Sequence, residues 1–285
     1  MPTSRASLRD IVDRIHTIPT LSEVAQQVNQ LLGDPNAVAA DIEKIVRRDP
    51  SMAAKMLRMV NSPLYSLPAP VTDLEQAVKI LGFKSVRSIA MSVSVIDLTK
   101  QDTAGFSMKA FWAHGMVCAA LCRMIAERAM MADPELAFTI GLLKDMGKLV
   151  LADNAPDELR AIIAVAKGHG LSFGQAAREV LETDDAEVAA WLCGNWKLPK
   201  EMIDPVHQQY EMILKPDMHL VAMIQLAEYL CALKNLRVSG DCNKPQVNKQ
   251  VTKVLGLDAD DLRAIVAATD AEATKAKEML ALMSK

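Results

Sequence analysis

Apolar residues recur along this chain at three- and four-residue spacing almost from end to end, and period-2 alternation is nearly absent. That pattern suits stacked helices and offers little that could pair as a sheet, so the expected fold class is all-α. Helix start signals agree. Thr20 with Glu23, Thr72 with Glu75 and Ser172 with Gln175 stand at capping-box spacing, where two side chains satisfy two backbone N–H groups orphaned by helix geometry. Asp49-Pro50 and Asp133-Pro134 each place an N-cap acceptor before a proline tolerated in the first turn. Gly82 and Gly168 stand where helices would stop. The spacing predicts helices over 51–60, 73–81, 84–98 and 107–131, one unbroken helix over 135–151, and others over 185–194, 200–212 and 217–235. Two separate helices are expected over 259–268 and 271–283. The polar segment 101–105 ends in glycine and predicts a junction between an N-terminal helical lobe, 1–105, and a larger C-terminal lobe, 106–285.

The 285 residues suffice for one large domain or two modest ones. Hydrophobic residues make up 51% of the chain but aromatics only 4%, with 17 Met, so the core must be built from aliphatic side chains and methionine. A net charge of −3 argues against a whole-chain binder of polyanions and leaves a local basic patch open. Five cysteines, an odd number without a framework spacing, fit reduced thiols better than disulfides. The first ten residues carry no apolar targeting core, and Lys144 and Asp145 split the most apolar stretch. These features predict a cytoplasmic protein with no membrane span.

In the N-terminal lobe, Met52, Met56 and Met59 fall on one helical stripe, and Ile80, Phe83 and Val86 form a less regular one around Gly82; both read as core. Asn61, in Asn61-Ser62-Pro63, has two readings: an amide that ties down its own loop through backbone hydrogen bonds, or a ligand contact. Arg47, Arg48, Lys55 and Arg58 likewise form either a solvated face or a phosphate-binding patch for nucleotide or nucleic acid. The run IPTLSEVA, IVRRDPSMAAKMLRMVNSPLY and PVTDLEQAVKILGFKSVRSIAM, in that order, closely resembles the N-terminal half of the HDOD family, the HD-related output domain proteins.

The predicted helix 107–131 carries the stripe Phe111, His114, Val117, Cys118, Leu121, Cys122 and Ile125, which puts His114 on the buried face, as a hydrogen-bonded core histidine or a metal ligand. His114, Cys118 and Cys122 follow at four-residue steps, but a rise of ~1.5 Å per residue spreads them over about 12 Å. Three such residues cannot close a tetrahedral site unaided. Next comes GLLKDMGKLVL, which is similar to the GLLHDIGKLVL signature of HD-domain proteins. In active HD phosphohydrolases an early His, the His-Asp pair and later His or Asp residues hold divalent metal, which activates water and polarises phosphate. The resemblance places His114 at the early His and Asp145 at the Asp of the pair, with Lys144 in place of the pair's His. It also puts Asp185 where relatives tend to carry His, and leaves His207, followed by Gln208, where catalytic relatives carry two histidines.

A protonated lysine has no lone pair and cannot ligate metal. Two readings of Lys144 stand side by side: its ammonium replaces the metal charge beside Asp145, or its aliphatic stem carries it out to solvent. The resemblance therefore implies an HD-domain-like helical bundle with a degenerate site, no bound metal or cofactor, and a non-catalytic role in bacterial signal transduction. Such a protein would act by binding a signalling partner or a small ligand such as a nucleotide. A residual metal-dependent phosphohydrolase and a nucleic-acid-binding regulator are the competing readings, the latter disfavoured by the charge balance.

Overall fold

A computed structural model describes residues 6–15, 19–31, 38–97, 102, 105–237, 240, 242 and 248–283. Every regular element among them is helical. In chain order these are α1 (Leu8–Asp13), α2 (Glu23–Leu31), α3 (Ala39–Val46), α4 (Pro50–Val60), α5 (Leu74–Ile96), α6 (Met108–Ala129), α7 (Pro134–Leu143), α8 (Met146–Asn154), α9 (Pro156–His169), α10 (Phe173–Val180), α11 (Asp185–Asn195), α12 (Lys200–His207), α13 (His219–Leu233), α14 (Gln250–Leu255) and α15 (Ala259–Met283). No described helix is long and apolar enough to cross a membrane.

The chain forms two compact units, divided differently from the expected lobes 1–105 and 106–285. One comprises Thr20–Lys100 with Asp270–Lys285, the other Met1–Pro19 with Gln101–Thr269. Short-range chemistry explains where the N-terminus belongs. Ser7 caps α1 in a capping box with Asp10, and Ile11 is fully buried. Glu182 N donates to Ala6 O at 2.9 Å, Arg14 pairs with Glu158, and the Trp196 indole donates to Pro19 O at 2.7 Å. The predicted junction 101–105 lies mostly outside the described residues. At the other end, the expected break near 269–270 does not occur, and α15 is one helix.

The smaller unit is built on α4 and α5. Asp49 accepts from Met52 N at 3.0 Å and starts α4, whose Met52, Met56 and Met59 are all buried as the stripe predicts. Gly82 has φ +82° and ψ 166°, a conformation a side chain rarely adopts, and it separates the two predicted helices within α5. The kink resets the helical phase. Val86 is therefore fully buried while Ile80, expected in the core, is half exposed. The start of α5 is capped by Asp73, which accepts from Gln76 N, rather than by Thr72. Ser22 rather than Thr20 supplies the hydroxyl at the start of α2, accepting from Ala25 N.

The larger unit holds the predicted Asp133 cap and the Ser172–Gln175 capping box. α9 runs one residue past Gly168 and stops at Gly170, whose positive φ provides the left-handed C-cap. All seven residues of the α6 stripe are buried, at 3% exposure or less. The one large departure is at 135–151, where the expected helix is interrupted: α7 ends at Leu143, α8 begins at Met146, and Lys144 and Asp145 form the turn.

A buried ion cluster as candidate functional site

The interruption between α7 and α8 is what builds the site. Asp145 stands at the N-cap of α8 yet makes no capping hydrogen bond. Its carboxylate is committed elsewhere, to Lys144, to Lys148 at 2.7 Å and to His114 Nε2 at 3.3 Å. Lys144 is 1% exposed. Its ammonium is ion-paired to both Asp145 and Glu228 and lies 3.5 Å from His114 Nε2. These three, His114, Asp145 and Glu228, bring potential ligand atoms within 4.8 Å of one another, and the Lys144 nitrogen contacts all of them. The charge-replacement reading of Lys144 thus matches its contacts, and the reading that it reaches solvent does not.

A second cation extends the cluster. Lys148, one turn into α8, bridges Asp145 and Asp185, with its nitrogen 3.8 Å from the latter. Asp185 is fully buried, and the Tyr210 hydroxyl lies 3.1 Å from each of its carboxylate oxygens. Gln209 is buried beneath the turn and donates to the Lys144 carbonyl at 2.9 Å. The glycine of the KDMGK segment makes the approach possible. A Cβ on Gly147 would stand 1.9 Å from the Asp185 carbonyl oxygen, so only glycine lets α8 close on α11.

His114 is oriented by α13 and the chain beyond it. Nδ1 is 2.7 Å from the Leu236 carbonyl, which can only accept, and Nε2 is 2.9 Å from Glu228. Burial favours the neutral ring, but Cys118, Glu228 and Asp145 together outweigh it and hold the pKa well above 6.5. Burial would likewise raise Asp145, yet Lys144 and Lys148 hold its carboxyl well below 3.8. Burial disfavours the charged form of Lys144, but Asp145 and Glu228 keep it protonated well above 10.5. Glu228, one-third exposed at its side chain, is pushed up by burial and brought well down by Lys144 and His114. Three carboxylates therefore face two ammonium groups and an imidazolium, a balance that keeps buried charges paired.

Of the sequence-predicted site residues, His114, Lys144, Asp145 and Asp185 come together. His207 does not: it is exposed at the end of α12, while Gln209 and Tyr210 just beyond it turn inward. Lys148 and Glu228 were missed. Their signal was present, since Lys148 lies one turn from Asp145 and Glu228 is the only acidic residue in the apolar run HLVAMIQLAEYLCAL.

The basic residues of the smaller unit are partly engaged with neighbouring side chains. Arg47 pairs with Glu43 at 2.8 Å, Lys55 pairs with Asp97, and Arg58 is half-buried. Arg48 faces Gln27 at 3.4 Å on the rim of a shallow concavity. The Asn61 amide is spent on its own loop: it donates to Leu57 O and Val71 O at 2.9 and 2.8 Å and accepts from Val71 N at 2.7 Å. The tying role therefore accounts for Asn61, and the ligand-contact reading finds no free group there. On the larger unit a groove of about 630 Å³ is lined by Met131, Leu136, Ile213 and Met218, with Asp133, Glu201, Asp204 and Asp217 among its acidic residues.

The divalent metal implied by the HD resemblance does not fit this cluster. One ligand position is a buried ammonium already paired to two of the carboxylates a metal would need, and a cation beside it would meet repulsion rather than a lone pair.

The fold has solved counterparts. An HDOD domain protein of unknown function from Geobacter sulfurreducens superposes with a TM-score of 0.82 at 24% identity, over 95% of this chain and 94% of that one. A Shewanella amazonensis SB2B protein, named by inference a phosphohydrolase, gives 0.75 at 22% identity, over 95% and 97%. A Marinobacter aquaeolei VT8 protein, named by inference a signal transduction protein, gives 0.74 at 23% identity, over 98% of this chain and 66% of that one. Among curated proteins, an uncharacterized protein of Treponema pallidum (strain Nichols) is 22% identical over 210 residues, which is 73% of this chain but only 40% of the relative's length. The HDOD domain model matches residues 18–212, and the chain belongs to the HDOD domain family.

Proposed function

We propose that this HDOD protein is a non-catalytic regulator in bacterial signal transduction, acting by binding a partner. The observation that carries this reading is the Lys144 ammonium seated among His114, Asp145 and Glu228. A hydrolytic metal must hold an open coordination position for water. Here that place is filled by a side chain that offers no lone pair, and the residues around it are largely sealed from solvent. The name of the Marinobacter relative, a signal transduction protein, points the same way. A sealed cluster has no room for a nucleotide, so binding falls to the surface. The groove brings apolar Met131, Leu136, Ile213 and Met218 together with acidic Asp133, Glu201, Asp204 and Asp217, a mixture that suits a basic amphipathic segment. The test is a hydrolysis screen of nucleotides and cyclic dinucleotides with Mg²⁺, Mn²⁺ or Fe²⁺ supplied. No turnover is expected, and turnover abolished by Asp145→Asn would overturn the reading.

A further inference from the structure

α6 and α13 also hold a pair of thiols that play no part in the charge balance of the ion cluster. Cys118 stands midway along α6 and Cys231 in the last turn of α13, and both are fully buried. Their sulfurs lie 3.6 Å apart, the one sulfur–sulfur contact among the described residues. Cys122, one turn further along α6, has its sulfur against the Gly141 position of α7, Cys193 is buried on α11, and Cys242 is exposed. We propose that Cys118 and Cys231 are a dithiol couple that a peroxide converts to a disulfide, so that oxidation locks α13 onto α6.

The geometry favours this pair. A disulfide holds its sulfurs ~2.05 Å apart, so each must travel only about 0.8 Å towards the other, a side-chain movement between two helices that are already packed together. The bond joins residues 113 positions apart in the chain. Closing so long a loop removes conformational freedom chiefly from the unfolded chain, so the oxidised form is the more stable one. Burial slows the reaction without barring it, because Cys231 needs only the end of α13 to lift. Leu233 at that end is 45% exposed, and the Glu228 side chain, about one turn before Cys231, is one-third exposed. Peroxide reaches the thiols through this local opening, and their oxidation is therefore slower than that of the exposed Cys242.

The chemistry balances with hydrogen peroxide as the oxidant. The sulfur of one thiol takes an oxygen from peroxide: the S–O bond forms as the O–O bond breaks, and the departing hydroxide leaves as water with the thiol proton. The second sulfur then displaces hydroxide from the sulfenic acid, which forms the S–S bond and releases a second water carrying the second thiol proton. The two sulfurs give up two electrons, and the peroxide oxygens take them. The event is felt at the ion cluster. The Cys118 thiol donates to Glu228 Oε1 at 3.2 Å, and Glu228 also pairs with Lys144 and His114. A disulfide has no S–H to donate, so oxidation removes this hydrogen bond and leaves Glu228 to its cationic partners.

Full-length protein carrying Cys242→Ser, incubated with hydrogen peroxide, then quenched, denatured and alkylated, tests this. The expected product takes the alkylating reagent at Cys122 and Cys193 only and yields a Cys118–Cys231 cross-linked peptide that dithiothreitol separates. Its urea midpoint is higher than that of the reduced protein, and the difference disappears on reduction. Cys118→Ala and Cys231→Ala should each abolish the cross-link, while Cys122→Ala and Cys193→Ala keep it. Should the alanine variants fail to fold, the peptide map of the parent still decides. Cys118 and Cys231 both alkylated after prolonged incubation, with urea added below the unfolding transition to promote opening, overturn the couple. So do sulfinic or sulfonic acids at these two residues in place of the cross-link, or a bond between other cysteines. A cross-link that leaves the urea midpoint unchanged overturns the locking of α13.

Discussion

Replacing Lys144 by methionine removes the ammonium and keeps most of the stem. This leaves Lys148 and His114 as the recorded cationic partners of Asp145, Asp185 and Glu228 among the described residues. Removing one partner of a buried ion pair costs roughly 3–5 kcal/mol, because the remaining charge stays desolvated. The lower end applies here. Lys148 stays 2.7 Å from Asp145 and continues to neutralise it, and Glu228, one-third exposed, can turn to water and loses little. Lys144→Met should therefore destabilise the protein by about 3 kcal/mol in urea unfolding at neutral pH, followed by circular dichroism. Asp145→Asn in the same background removes the stranded carboxylate, so the double variant should lose less than the sum of the two singles, with a coupling of roughly 1–3 kcal/mol. The charge-replacement argument is refuted if Lys144→Met is as stable as the parent, or if the two substitutions are additive.

The pH dependence of stability follows from the shifts in the cluster. Asp145 and Glu228 are depressed from 3.8 and 4.5, so their contribution is complete above 4.5 and is lost as the pH falls towards their depressed values. His114 is raised from 6.5, so its contribution is complete below 6.5 and is lost as the pH rises through its raised value. Stability from the cluster should peak between 4.5 and 6.5, and His114→Gln should flatten the alkaline side in thermal unfolding across pH while leaving the acid side in place. Gly147→Ala forces a Cβ into the Asp185 carbonyl and should cost roughly 1–3 kcal/mol or more by the same urea assay; a neutral result would show that α8 and α11 are not in contact there.

The helical architecture was legible because it rests on local patterns: the buried face of α6, the Asp49 and Asp133 caps and the Gly82 break all follow from spacing and side-chain type. The interruption at Lys144–Asp145 was not legible. Nothing in GLLKDMGKLVL marks a stop, since it holds no proline and, of its two glycines, Gly141 lies inside α7 and Gly147 follows the break. The cause is tertiary: the Asp145 carboxylate is drawn to three partners, two of them close in sequence and one on another helix. The misplacement of His207 has a related origin. The resemblance places it by its position in the chain, whereas the direction a side chain takes at a helix end depends on a turn or two of backbone, and here Gln209 and Tyr210 point inward in its stead. Glu228 was visible as a lone carboxylate on an apolar helix, but its partners lie more than eighty residues away, and no local spacing pairs them.

The substitutions at the two ligand positions carry opposite charge, and that asymmetry bears on why the cluster persists at all. A metal site that merely decays leaves carboxylates buried without a cation, a costly state that selects for their loss. In this chain a lysine stands where the resemblance places one histidine and an aspartate where it places another, and each is matched: Lys144 by Asp145 and Glu228, Asp185 by Lys148 and Tyr210. A change that adds a positive charge is offset by one that adds a negative charge, so the buried balance is kept without a divalent ion. Neutralising Asp185 alone should then disturb the cluster much as Lys144→Met does, by leaving an ammonium short of a partner. Asp185→Asn is accordingly expected to lower stability and to move Lys148 rather than Lys144, a distinction that the ¹⁵N chemical shifts of the two ammonium groups would resolve. Equal shifts at both lysines would mean that the cluster titrates as one unit and that the two halves are not separately balanced.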